Sequence, residues 1–346
     1  MKVILLVVIL MFSGVAGEKR INQNGRELPE LPQPPKEAVL FDTPEADKIL
    51  SALQIMPVDS PYNEDYSGRP VLANSDAMIA NMGADITLKY NQDMCFVIVP
   101  PDQKRINVPL QWPDASEPGP YPVPDNTPIE GFPVYVTGKE DGTRAEKLDY
   151  IQKTGNGDRH ALVLDPWNNM LYEFYQMRKT DNGWVAMNEA TFDLTSNKAR
   201  KNGRTSSDAA GFPVMPLSVR YDEVARGMVE HITRVTFKEI QKSFVWPASH
   251  TDGRAGNKKD YPRMGERLRL KKEFDITTFS PHIQAMLAGF KKYGLIVADT
   301  GGSWRISVCP DSRIQNLEEL ARVKGSDFEF VTPTSKSAGP RAKKGE

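Results

Sequence analysis

The 346-residue sequence is notable first for what it has little of: two cysteines, four histidines, and no surplus of charge of one sign. Lys and Arg total 44 and Asp and Glu 45, for a net charge of −1. That balance excludes nucleic acid as the main partner, because phosphate binding calls for an excess of cations on one face. No long run of Asp or Glu occurs, which excludes a polyacidic mineral-binding chain. Beyond the first 17 residues no stretch approaches the roughly 18 apolar residues of a membrane span. No G-x-S-x-G is present, which disfavours a Ser-His-Asp hydrolase. Neither a P-loop nor a G-x-G-x-x-G after a strand occurs, so a nucleotide cofactor is not expected. HExxH is missing as well, which leaves any zinc site without a spacing signature. No Asn-x-Ser/Thr sequon exists, so N-glycosylation is not expected.

What is present points outward from the cell. Lys2 is followed by an apolar run, Val3 to Phe12, and by the small residues Ser13 to Gly17, with Val15 and Gly17 at −3 and −1. Residues 1–17 read as a secretory signal peptide, too short for a spanning helix. Its removal leaves 43 cations against 45 anions in a chain expected to be secreted, extracellular and without a membrane partner. In an oxidising compartment Cys95 and Cys309, 214 positions apart, are candidates for one disulfide. Two separately buried thiols are the alternative.

The 27 prolines and 25 glycines exceed what a helical bundle tolerates and predict turns and many strands. Residues 18–38, with Pro29, Pro32, Pro34 and Pro35, read as an extended leader. Residues 39–331 form one β-rich domain, and 332–346 a disordered basic tail. Thr43-Pro44-Glu45 opens a helix carrying Ile49, Leu50 and Leu53, and a second runs from Asn74 or Ser75 to Met82. Eight prolines between 109 and 133 predict a polyproline segment that wraps the surface or lines a cleft. His160–Asp165, Pro166–Asn169 and Met170–Tyr175 make a hairpin. Strands are expected over 184–192, 228–238 and 243–250, followed by 267–274. A helix from Ser280-Pro281 buries Ile283, Met286, Leu287 and Phe290 and ends at Gly294. Residues 295–308 read as a second hairpin, and a short helix covers 315–323. The fold class is mainly β, a sandwich or jelly-roll with a few peripheral helices.

Several blocks carry a likeness: Asp158–Asp165 (DRHALVLD) with Leu171-Tyr172-Glu173, Arg220-Tyr221-Asp222-Glu223-Val224, Trp246-Pro247-Ala248-Ser249-His250 and Tyr293–Asp299. They resemble a family of large secreted bacterial proteins often found alongside carbohydrate-handling modules, over roughly residues 55–330. The resemblance implies an exported, β-rich domain. Ser249 departs from the family's usual Arg, and Ile232-Thr233 from a plainer Ala-Leu.

The chemistry-bearing residues fit an action on polysaccharide, by hydrolysis or elimination. Glycoside hydrolysis needs two carboxyl groups across a cleft, and Glu173 and Asp222 are candidates, with Glu223 and Asp208 as further options. His160, His231 and His250 are of a type suited to acid–base work near neutral pH, or to a zinc site with an open position. A polyuronate lyase would need a cation and a Tyr or His, for which Arg159, Tyr172 and Arg220 are available. Trp167, at a turn tip, and Trp246 are candidates for stacking on sugar. A non-catalytic extracellular-matrix protein of shell, cuticle or wall is the alternative function, and a zinc-dependent hydrolase a third. No cofactor other than zinc is in view.

Overall fold

The computed structural model describes residues 19–333. The expected signal peptide and residues 334–346 of the expected tail lie outside the described residues.

Thr43 caps helix α1 (Pro44–Ala52), its hydroxyl accepting from the Ala46 amide at 3.2 Å, with Pro at the first position where its missing N–H costs nothing. A short strand β1 (Val39–Leu40) precedes it, and α2 (Ser75–Met82), β2 (Lys89–Gln92) and β3 (Phe96–Ile98) follow. Then come α3 (Arg144–Lys153), β4 (Ala161–Asp165), β5 (Met170–Tyr175), β6 (Arg178–Thr180), β7 (Gly183–Val185) and β8 (Asn188–Asp193). The second half contains α4 (Tyr221–Val224), β9 (Thr233–Phe237), β10 (Arg267–Leu270), α5 (Pro281–Lys292), β11 (Leu295–Thr300), β12 (Arg305–Val308) and β13 (Phe328–Val331).

These strands form two mixed sheets and a separate β6–β7 ribbon. The first sheet has the order β1-β3-β4-β5-β8, the second β13-β10-β11-β9-β12-β2. The β4–β5 hairpin stands where the two apolar runs and the turn between them placed it, from Ala161↔Phe174 to Asp165↔Met170. All five β4 residues are buried, as a continuous apolar run on an interior strand requires. One core runs through both sheets, from Phe41 to Phe330.

The architecture agrees with the mainly-β expectation only in part: the strands form mixed sheets that do not close into a barrel. Helix takes 18% of the chain and strand 21%. The pairs β3/β4, β9/β11 and β2/β12 are parallel, whereas a jelly-roll pairs its strands antiparallel. The expected hairpin over 295–308 is not one, because β9 lies between β11 and β12 and pairs with both. The strand expected over 228–238 is confined to 233–237, and 243–250 contributes only the Phe244↔Met264 bridge. Helix α5 follows expectation: Ile283, Met286, Leu287 and Phe290 are buried, and a Cβ on Gly294 (φ +76°) would sit 2.5 Å from the Leu268 carbonyl oxygen. Helix α3 was not expected, although Thr143 and Glu146 form a full capping box at its start.

The leader is pinned down. Asn22, Asn24 and Arg26 all hydrogen-bond the Glu230 carboxylate, and Arg26 also donates to the Ser51 carbonyl at the end of α1.

Candidate functional site

The residues nominated from sequence divide between two places, and most are occupied by the fold itself. Glu173, on β5, is fully buried and accepts hydrogen bonds from the Val214 amide (2.8 Å), the Met215 amide (2.8 Å) and the Ser207 hydroxyl (3.0 Å). Burial pushes its carboxyl up to about 7, against the pull of those donors. Arg159 (φ +51°) donates to the carbonyls of Ile151, Gln152 and Thr154 and so closes the C-terminal end of α3. Tyr172 is buried, its hydroxyl accepting from Arg105 at 3.2 Å. Trp167 is half-buried and donates to the Pro32 carbonyl of the leader. Trp246 is half-buried, with a buried indole N–H that has no partner among the described residues. Cys95 and Cys309 are both buried free thiols.

A second group surrounds a cavity of about 30 Å³, room for about one water. Arg220 meets Glu223 at 2.9 Å, and His231 Nε2 meets the same carboxylate at 3.0 Å. His231 Nδ1 donates to the Ile232 carbonyl at 2.7 Å. Asp222 pairs with Arg226 at 2.9 Å. Burial works against the Glu223 charge, but Arg220 and His231 outweigh it and bring the carboxyl down to about 2. The leader covers this cluster through Asn22, Gln23 and Arg26. The cluster's accessible space, about 30 Å³, is too small for a substrate.

An open cleft of about 490 Å³ lies elsewhere, between the ends of the two sheets. Tyr175, the last residue of β5, contributes from the first sheet, and Asp299 and Thr300, the last of β11, from the second. The β11–β9 register shifts between Val297 and Asp299, just where the strand reaches the cleft. Trp112, from the proline-rich stretch, is 46% exposed and stacks on Tyr175 with ring centroids 6.2 Å apart. Asp158, His250 and Asp252 complete the polar wall, with the 205–207 backbone between. The Tyr175 hydroxyl donates to Asp158 at 3.3 Å, and the Thr300 hydroxyl donates to Asp252. His250 Nδ1 donates to the Ala209 carbonyl at 2.8 Å. In the neutral ring that bond leaves Nε2 as an acceptor at the cleft.

One loop, residues 205–210, ties the cleft together. From the first sheet His160 Nε2 donates to the Ser207 carbonyl (2.8 Å) and Glu173 holds the Ser207 hydroxyl. From the second sheet the Ala210 amide donates to the Ala298 carbonyl at the register shift (3.0 Å), and Arg234 on β9 pairs with Asp208. Both His160 nitrogens face acceptors, Ser207 O and Glu130 at 2.9 Å, so the ring is an imidazolium. Burial opposes that charge, but Glu130 overcomes it and raises His160 to about 10.

Behind the cleft wall the acids outnumber the cations. Asp93, Glu130 and Asp208, together with Asp299 in the wall itself, share His160 and Arg234. Burial, then the Asp208 and Asp252 charges, push Asp299 up to about 8 against Arg234 at 3.6 Å. Burial and Glu130 likewise raise Asp93 to about 7. Burial and its acidic neighbours thus favour the protonated form of Asp299, while 22% of its side chain remains exposed.

Of the nominated residues, the cleft is lined by His250 alone; His160 and Glu173 stand behind it as positioning residues. Asp299 and Asp252 were missed. The signal for Asp299 was an acid closing the apolar strand Leu295–Ala298. Among the described residues no group of three or more His, Cys, Asp or Glu is placed to hold a metal ion, and no helix is long and apolar enough to cross a membrane. No protein-family model matches the chain, nor does any curated protein or solved structure.

Proposed function

We propose that this is an exported protein that acts on extracellular polysaccharide by hydrolysis, in the cleft between the two sheets. The observation that carries the reading is the meeting, in one open cleft, of the Trp112–Tyr175 stack with a carboxyl kept protonated, Asp299, and a second carboxyl, Asp252, near enough to raise it. A flat exposed ring receives the apolar face of a sugar. Asp299 donates its proton to the glycosidic oxygen as the bond breaks. Asp252, held by Thr300, takes a proton from the water that adds to the anomeric carbon, so one proton goes to the leaving oxygen and one to the base, and His250 Nε2 accepts from a sugar hydroxyl. Elimination fits less well, because a polyuronate lyase needs a cation beside the carboxylate it neutralises and, among the described residues, no Lys or Arg lines the cleft.

The test is release of reducing ends from a panel of neutral polysaccharides by the mature chain, with Asp299→Asn and Trp112→Ala alongside. Turnover should fall by about a hundredfold or more in Asp299→Asn while binding is kept, as expected when a general acid is removed. Trp112→Ala should weaken retention on polysaccharide. Wild-type rates should decline as pH rises through about 8, where Asp299 loses its proton. Full activity in Asp299→Asn sinks the assignment. Retention that depends on Trp112 without any turnover would instead make the cleft a binding site of a matrix protein.

A further inference from the structure

The two segments that edge the cleft also build a second groove, of about 510 Å³. Residues 205–207 and Trp112 line the cleft, whereas 196–204 and Glu117 line the groove. The charge of the two is opposite. Lys198, Arg200, Lys201 and Arg204 face Glu117 and Asp193, a surplus of two positive charges.

That surplus is built in two layers. Arg200 and Arg204 are fixed: Arg200 donates to the Thr205 carbonyl (2.8 Å) and the Ala115 carbonyl (3.1 Å), Arg204 to the Asp114 carbonyl (2.8 Å) and the Ser116 carbonyl (3.0 Å). Both guanidiniums converge on the one Glu117 carboxylate, at 2.8 and 3.3 Å. Asp193 is turned into its own loop, accepting from the Thr195 amide and hydroxyl. Above this floor Lys198 and Lys201 are exposed, and neither ammonium makes an ion pair among the described residues. Met56, Met170 and Phe192 supply an apolar strip, with the Arg200 guanidinium 5.8 Å from the Phe192 ring.

We infer that this groove holds an anionic substituent, a carboxylate or a sulfate ester, on a sugar unit of the polymer whose neutral unit enters the cleft. The inference rests on the polysaccharide reading of the cleft and names the class of polymer: an acidic heteropolysaccharide rather than a plain glucan. Fixed arginines give the site its potential without reorganisation, and the lysines reach the charge from the rim.

The experiment is titration of the intact mature protein with polygalacturonate, dextran sulfate and a neutral glucan at two salt concentrations. The variants are Lys198→Glu/Lys201→Glu and Lys198→Arg/Lys201→Arg. The wild type should bind at least one anionic probe, more weakly at higher salt. The glutamate variant should lose about tenfold in affinity for that probe, the arginine variant should keep it, and binding of the neutral glucan should not change. Which anionic probe binds tells carboxylate from sulfate. No binding of either, an undiminished affinity in the glutamate variant, or an equal loss on the neutral glucan overturns the inference. Turnover of neutral substrate through Asp299 is read separately, so failure of the groove leaves the cleft reading standing, and the reverse.

Discussion

Glu173 and Asp299 are both acids that burial pushes upward, to about 7 and about 8, yet their surroundings set them to different work. The Glu173 carboxylate is consumed by two amides and a hydroxyl at the start of the 214–217 turn. Glu173→Ala leaves those donors buried and unpaired and should destabilise the fold by about 2–4 kcal/mol, read from denaturant unfolding. Asp299 keeps one side toward the cleft. Its folded-state value lies above the unfolded value of about 3.9, so the stability it permits is complete at low pH and is lost as pH rises through about 8. Asn cannot ionise. Asp299→Asn should therefore melt no lower than the wild type near pH 4 and higher than it at pH 9, the reverse of its effect on turnover. Sequence reading reached Glu173 and His160 by residue type, because type is all that a string of letters shows. That their polar atoms are spent on a hydroxyl and backbone groups 34 to 47 positions away is a property of the fold.

At the scale of elements, the 205–210 loop is held from both sheets, and His160 is its anchor on the first. Its folded value of about 10 exceeds the unfolded value of about 6.5, so its contribution is complete below about pH 6.5 and vanishes as pH rises through about 10. His160→Gln should lower the melting temperature most near pH 6, with the gap closing toward pH 10. Locally determined elements were the legible ones: α1 and α5 by their caps and apolar spacing, β4–β5 by two apolar runs around a Pro-Trp-Asn-Asn turn. Helix α3 carried its Thr143-x-x-Glu146 signal unread, because the apolar stripe that usually accompanies it is thin: of its hydrophobic residues only Ile151 is fully buried. The 295–308 segment misled for a different reason. A Gly-Gly between two apolar runs favours a hairpin, but β9 enters between them from 60 residues upstream, and only tertiary packing decides that. The candidate cleft was hidden likewise, being assembled from segments at 112, 158, 175, 205, 250 and 299.

For the whole molecule, the leader is a strap across the Arg220–Glu223 network. Glu230→Ala removes the acceptor shared by Asn22, Asn24 and Arg26, and should make residues 19–38 the first site of limited proteolysis while lowering stability by about 1–3 kcal/mol. The second sheet reaches equally far along the chain. Its outer strands are β2, at residues 89–92, and β13, at 328–331, and Val71 bridges to Val331. A sheet whose edges are contributed by such distant segments cannot close until nearly all of the chain has been delivered to one place. Pairings so far apart in sequence make for slow folding. Until β13 arrives, β10 offers an open edge, the kind of surface on which chains of different molecules join. The final strand thus does more than complete a core: its arrival decides how long each new molecule stays exposed to its neighbours.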